Sequence, residues 1–64
     1  MRNELINFRK SKNLTVNEIA DKIGVSSSFY EKIEYGDRNP SYNFILMFKS
    51  AFPEGETDKI FFNQ

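Results

Sequence analysis

Neither histidine nor cysteine occurs in the 64 residues, which removes the commonest general base, the thiolate nucleophile and any Cys/His metal set from the chemistry open to this chain. No glycine-rich phosphate loop is present. The carboxylates are scattered over short segments and would need a cleft that so small a domain rarely builds. The expectation is a protein that is not an enzyme and uses no cofactor or metal. The polar side chains that do cluster are hydrogen-bonding groups within residues 26–35. At about 100° per residue, Ser27, Ser28, Glu31, Lys32 and Tyr35 fall on one half of a helix, and Ser26, Phe29, Tyr30 and Ile33 on the other. One half is suited to packing, the other to recognition by hydrogen-bond donors and acceptors.

Positioning such a face is the task of five short segments. Arg2 to Lys12 reads as a first helix, with Leu5 and Phe8 on a row that Met1 and Lys12 extend, and Asn13 ends it. Thr15-Val16-Asn17-Glu18 has the form of a capping box, which opens a second helix over Val16 to Ile23. Gly24 stops that helix, because glycine enters the left-handed region without steric cost. The third helix restarts within the serine run. Ser26, Ser27 and Ser28 are all suitable caps, and Ser28 with Glu31 forms a second capping-box pattern, so the cap stays open among them. This helix ends near Tyr35, before Gly36. Pro40-Ser41 opens a fourth, with Ile45, Phe48 and Phe52 as its apolar row and Pro53 as its stop, and Thr57 to Phe62 forms a short fifth. Nothing alternates like a strand, so the class is all-α, in a single domain over residues 1–64.

A chain of this length buries only about 60% of its unfolded surface, and with no cross-link available its stability rests on packing. Seven Phe and three Tyr supply that packing. No apolar run approaches the roughly 18 residues of a membrane helix, and Met1-Arg2-Asn3-Glu4 leads into no secretory segment; the expected location is the cytoplasm, with no membrane partner. Net charge is zero, which by itself argues against phosphate binding. The distribution is uneven: residues 1–12 carry four basic side chains against one acidic, and residues 53–64 three acidic against one basic.

Two helices of eight or nine residues joined by so tight a turn cross steeply, which lets one lie in a DNA major groove while the other braces it on the backbone. The residues Leu14-Thr15-x-x-Glu18-Ile19-Ala20-x-x-Ile23-Gly24-Val25-Ser26, followed by Ile33-Glu34-x-Gly36-x-Arg38-Asn39-Pro40-Ser41, resemble the lambda-repressor-like, Cro-type family, also called XRE. The resemblance runs from Leu5 and Arg9 to Ile60-Phe61. It implies a compact five-helix fold, binding of double-stranded DNA as a homodimer, and recognition through the third helix.

Carried over residue by residue, the resemblance makes Ser27, Ser28 and Lys32 base-reading positions with Glu31 beside them. Lysine can donate to guanine O6 and N7, serine can donate or accept, and glutamate can accept from cytosine N4. Ser27 is the preferred serine reader. Ser26 suits a cap better. Thr15 and Asn17 at the start of helix 2, and Tyr35, Arg38, Asn39 and Ser41 leading into helix 4, are the expected DNA-backbone contacts. The family usually places Gln where Val16 stands, so one phosphate clamp is missing. Arg9 and Glu34 match a structural salt bridge of the family between helices 1 and 3. Lys10, Lys12 and Arg2 are left to attract DNA at long range.

The acidic turn Glu54 to Glu56 should face away from DNA. Phe52, Phe61 and Phe62 are the expected dimer interface, since a short terminal helix cannot readily cover so much apolar surface. The resulting expectation is a transcriptional repressor on a pseudo-palindromic operator. Two alternatives share the fold: an antitoxin-type module whose main task is to bind a protein partner, and a restriction-modification controller protein.

Overall fold

The computed structural model describes residues 1–62. Among them four α-helices, α1 (Asn3–Ser11), α2 (Val16–Ile23), α3 (Ser27–Tyr35) and α4 (Tyr42–Ala51), precede a single π-helical turn, α5 (Asp58–Phe62). The all-α architecture expected from the sequence is the one found. α1 is one residue shorter at each end than Arg2 to Lys12, because Arg2 and Lys12 occupy its caps. Asn13 follows in the left-handed region with φ of 57°, which Asn tolerates better than most residues.

The boundaries of α2, α3 and α4 are set by hydrogen bonds made within three residues. The Thr15 hydroxyl accepts from the Glu18 backbone N–H at 3.1 Å while a Glu18 carboxylate oxygen accepts from the Thr15 N–H at 2.9 Å. Both arms of the capping box are therefore formed. Gly24 and Gly36 close α2 and α3 in the left-handed region, with φ of 98° and 87°. Of the three serines, Ser26 caps α3, its oxygen accepting from Phe29 N–H at 3.1 Å. Ser41 does the same for α4 through Phe44 N–H at 3.0 Å.

α1 packs on α3 and α5, and α2 on α3 and α4. The core at their centre comprises Leu5, Ile19, Ala20, Ile23, Tyr30, Ile33, Phe44, Phe48, Phe52, Ile60 and Phe61. On α4 the inward row is Phe44 and Phe48, with Phe52 at the C-cap, while Ile45 is only partly buried. Met1 is exposed rather than part of the α1 row. In α5 the wider π-turn reduces the rotation between neighbours, so consecutive Ile60 and Phe61 can both face inward. Of the three expected interface aromatics, Phe61 on α5 and Phe52 at the C-cap of α4 belong to the protomer's own core, and Phe62 alone stays exposed. The apolar face of a five-residue turn is covered here because α1 and α4 converge on it.

One polar network crosses this core. The Arg9 guanidinium donates to both oxygens of the Glu34 carboxylate, at 2.7 and 3.3 Å, and to the Leu14 carbonyl at 3.1 Å. Buried Tyr30 donates its hydroxyl to the same carboxylate at 2.8 Å. The network ties α1, the turn before α2, and α3 to one another. Burial, followed by the bond to Glu34, holds the Tyr30 hydroxyl well above its ordinary value of 10.0.

The sign of the consequence is definite. The unfolded chain releases the Tyr30 proton as pH passes about 10, whereas the folded chain retains it, so stability falls as pH rises beyond that point. In urea titrations between pH 8 and 11, Tyr30→Phe is expected to start roughly 1.5 to 3 kcal/mol less stable, having lost a hydrogen bond to a charged group, and to show a shallower alkaline decline. An equal decline in both proteins would mean that Tyr30 is not the group responsible.

Candidate nucleic-acid interface

α2, the turn at Gly24-Val25 and α3 form the helix-turn-helix, in which α3 carries the candidate base-reading residues. On α3, Tyr30, Ile33 and Glu34 are buried, and Ser28, Glu31, Lys32 and Tyr35 are exposed. Ser27, the preferred serine reader, is only half exposed in the first turn, whereas Ser28 is open to solvent. The outward face is thus led by Ser28, Glu31 and Lys32. With its side chains a helix is about 10 to 12 Å across, which fits a major groove about 12 Å wide.

Hydrogen-bonding groups are exposed at three further places, at the starts of α2 and α4 and in the loop between α3 and α4. Thr15 and Asn17 are exposed at the start of α2. Thr15 spends an acceptor lone pair on capping, which leaves its hydroxyl proton for donation. Ser41 is in the same position at the start of α4. Between α3 and α4, Arg38 lays its guanidinium over the Phe29 ring, 5.1 Å from the centroid. That stacking orients the fork without using its N–H groups. Asn39 accepts a hydrogen bond from Arg2 Nη2 at 3.1 Å.

Two of the cations assigned to long-range attraction are held instead. Lys12 pairs with Glu54 at 2.6 Å, which holds that carboxyl below the usual carboxylate range. It thereby joins the end of α1 to the acidic turn. Arg2 is held by Asn39. Sequence reasoning treated Tyr30 purely as a packing residue, although its spacing of four from Glu34 on a helix is the spacing at which side chains meet. Phe44, four residues before Phe48 and so on the same face of α4, is a buried core residue outside the expected row of Ile45, Phe48 and Phe52.

Among the described residues no helix is long and apolar enough to cross a membrane. Comparison with curated proteins gave no match, and comparison with solved structures gave none. The profile of the helix-turn-helix family matches residues 5–47, which take in α1, the capping box, the turn, the outward face of α3 and the first half of α4. Given that match and an all-helical fold with α2 and α3 in the required order, the chain belongs to the helix-turn-helix family, as a DNA-binding regulator of the XRE type.

Proposed function

We propose that the protein represses transcription by binding a pseudo-palindromic operator as a homodimer, with α3 of each protomer in the major groove. The observation that carries this reading is the outward face of α3: Ser28, Glu31 and Lys32 are exposed and, among the described residues, their side chains make no hydrogen bond, while the opposite face is locked in the core. Base reading falls to Ser27, Ser28, Glu31 and Lys32, and backbone contact to Thr15, Asn17, Tyr35, Arg38, Asn39 and Ser41. The domain measures 26 × 25 × 22 Å, so two copies in contact have centres roughly 25 Å apart. A modest outward offset of each α3 then meets half-sites about 34 Å apart.

The decisive experiment is a gel-shift titration with DNA from upstream of the protein's own coding sequence. Binding there no tighter than to a random duplex at about 0.15 M salt, where non-specific affinity is already weakened, would end this reading. Lys32→Ala is expected to lower specific binding by about 1 to 3 kcal/mol and to leave the thermal midpoint nearly unchanged, because Lys32 is exposed. A lower midpoint would show that Lys32 serves the fold.

An antitoxin-type module, with DNA binding secondary, is the second reading. It draws support from Tyr42 and Leu46, 75% and 50% exposed one turn apart on α4, and from exposed Phe62. Co-expression with the product of the adjacent gene, followed by native mass spectrometry, separates the two. A stable hetero-complex that forms while operator binding is absent favours the second.

A further inference from the structure

Arg2 precedes the helix-turn-helix match, which begins at residue 5, yet the fold carries it to the far end of α3. Its backbone N–H donates to the Glu34 carbonyl at 2.8 Å, and its Nη2 donates to Asn39 Oδ1 at 3.1 Å. Asn39 follows Arg38, whose own N–H donates to the Lys32 carbonyl at 3.2 Å and whose guanidinium covers Phe29. Arg2 and Arg38 are therefore both anchored at the loop that follows α3, Arg2 through Asn39 and the Glu34 carbonyl, and Arg38 with its guanidinium laid back over Phe29 in the first turn of the helix.

Several cations elsewhere in the molecule are held by acceptors of the protein. Arg9 has the Glu34 carboxylate, Lys12 has Glu54, and Lys49 has the carbonyls of Pro53 and Gly55. Arg2 is partly buried, yet among the described residues no carboxylate lies within 4.0 Å of it. Among the described residues its Nε is closed off from solvent with no acceptor, and Nη1 makes no hydrogen bond. A guanidinium whose Nε is shut off from water, which is held in one orientation and has no carboxylate partner among the described residues, carries a cost that an arriving anion offsets. Because Asn39 already fixes the fork, less side-chain entropy is lost when that anion binds.

We infer that Arg2 binds a phosphate of the DNA backbone, together with Arg38, at the edge of the surface presented by α3. The inference rests on the DNA-binding reading and adds to it a contact from outside the helix-turn-helix. Arg2 supplies Nη1 and the second N–H of Nη2, Arg38 supplies its stacked fork, and Asn39 positions Arg2 between them. Such a contact strengthens binding to every sequence alike, and compensates for the phosphate clamp that Val16 cannot provide.

The test measures affinity by fluorescence anisotropy for the upstream duplex and for a random duplex of equal length, over a series of salt concentrations. It compares wild type, Arg2→Met, which keeps the apolar stem, and Asn39→Ala, which removes the tether from an exposed loop. Arg2→Met is expected to weaken both duplexes about tenfold, as for one lost charge-assisted contact, and to reduce the salt slope by about 0.9, as for one phosphate no longer neutralised. Asn39→Ala weakens both by a smaller factor. Phosphate-ethylation interference on the upstream duplex supplies the direct readout: one phosphate whose ethylation blocks wild-type binding becomes indifferent with Arg2→Met. Folded Arg2→Met with an unchanged slope and an unchanged ethylation pattern overturns the inference and leaves the DNA-binding reading standing. Wild type with no salt-dependent affinity for either duplex overturns both.

Discussion

Glu34→Ala is expected to leave the protein largely unfolded at 37 °C. The carboxylate receives Arg9 from α1 and the Tyr30 hydroxyl from its own helix, and the Arg9 and Glu34 side chains are only 15% and 6% exposed. Removing it strands a guanidinium and a phenol together. Breaking a buried pair by deleting one partner costs roughly 3 to 5 kcal/mol. The residual exposure of Arg9 places this case near the lower end. A domain of this size has a total stability of about 3 to 10 kcal/mol, so even the lower figure consumes much of it.

The control separates loss of a contact from stranding of a charge. Arg9→Met/Glu34→Leu/Tyr30→Phe, which removes all three polar groups and keeps most of their volume, is expected to be more stable than Glu34→Ala in urea melts. If Glu34→Ala lowered the free energy of unfolding by less than 1 kcal/mol, the network would be ornamental. DNA affinity of Glu34→Ala should fall only as far as the folded fraction falls.

Phe48→Ala carries a comparable or larger cost. Phe48 is fully buried and its ring lies 5.3 Å from Phe8, 5.4 Å from Phe52 and 5.1 Å from Phe61, the last in an edge-to-face arrangement at 86°. It is the point where α1, α4 and α5 meet. Phe→Ala in a core typically costs about 3 to 5 kcal/mol, and lost aromatic pairing adds to the packing term. The expected result is a protein with no cooperative thermal transition. Phe48→Leu, which retains much of the volume, should fold with a lowered midpoint. A cooperative Phe48→Ala transition within a few degrees of wild type would show that the aromatic cluster is not what closes the core.

Both expectations concern residues whose partners lie on other elements, and that is where sequence reading and structure part. The boundaries of α2 were legible because Thr15 and Glu18 satisfy backbone donors three residues away, and Gly24 and Gly36 answer to backbone geometry at a single residue. The cap of α3 was not, since three consecutive serines offer the same hydroxyl and only packing of Phe29, Tyr30 and Ile33 selects the register that puts Ser26 at the cap. The polar half of α3 followed from its periodicity, although the first turn differs: Ser27 is less open than Ser28.

The aromatic residues divide on the same principle. Their number announced a tightly packed small core, but which of Phe52, Phe61 and Phe62 would be spent on it depended on how α5 meets α1 and α4. Arg9 with Glu34, 25 residues apart, was reached only through family resemblance. Arg2 with Asn39, 37 residues apart, had no such guide.

The sequence by itself determined the helices, the turn between α2 and α3, the face that α3 turns outward and the absence of histidine and cysteine chemistry. These depend on hydrogen bonds and periodicities that span no more than a few residues. Only the tertiary structure decided which cations are neutralised and which are left facing outward. Charge pairing is set by distances through space, and a chain of zero net charge can hold Lys12 on Glu54 and Arg9 on Glu34 while, among the described residues, Lys32, Arg38 and Arg2 are left without a carboxylate partner.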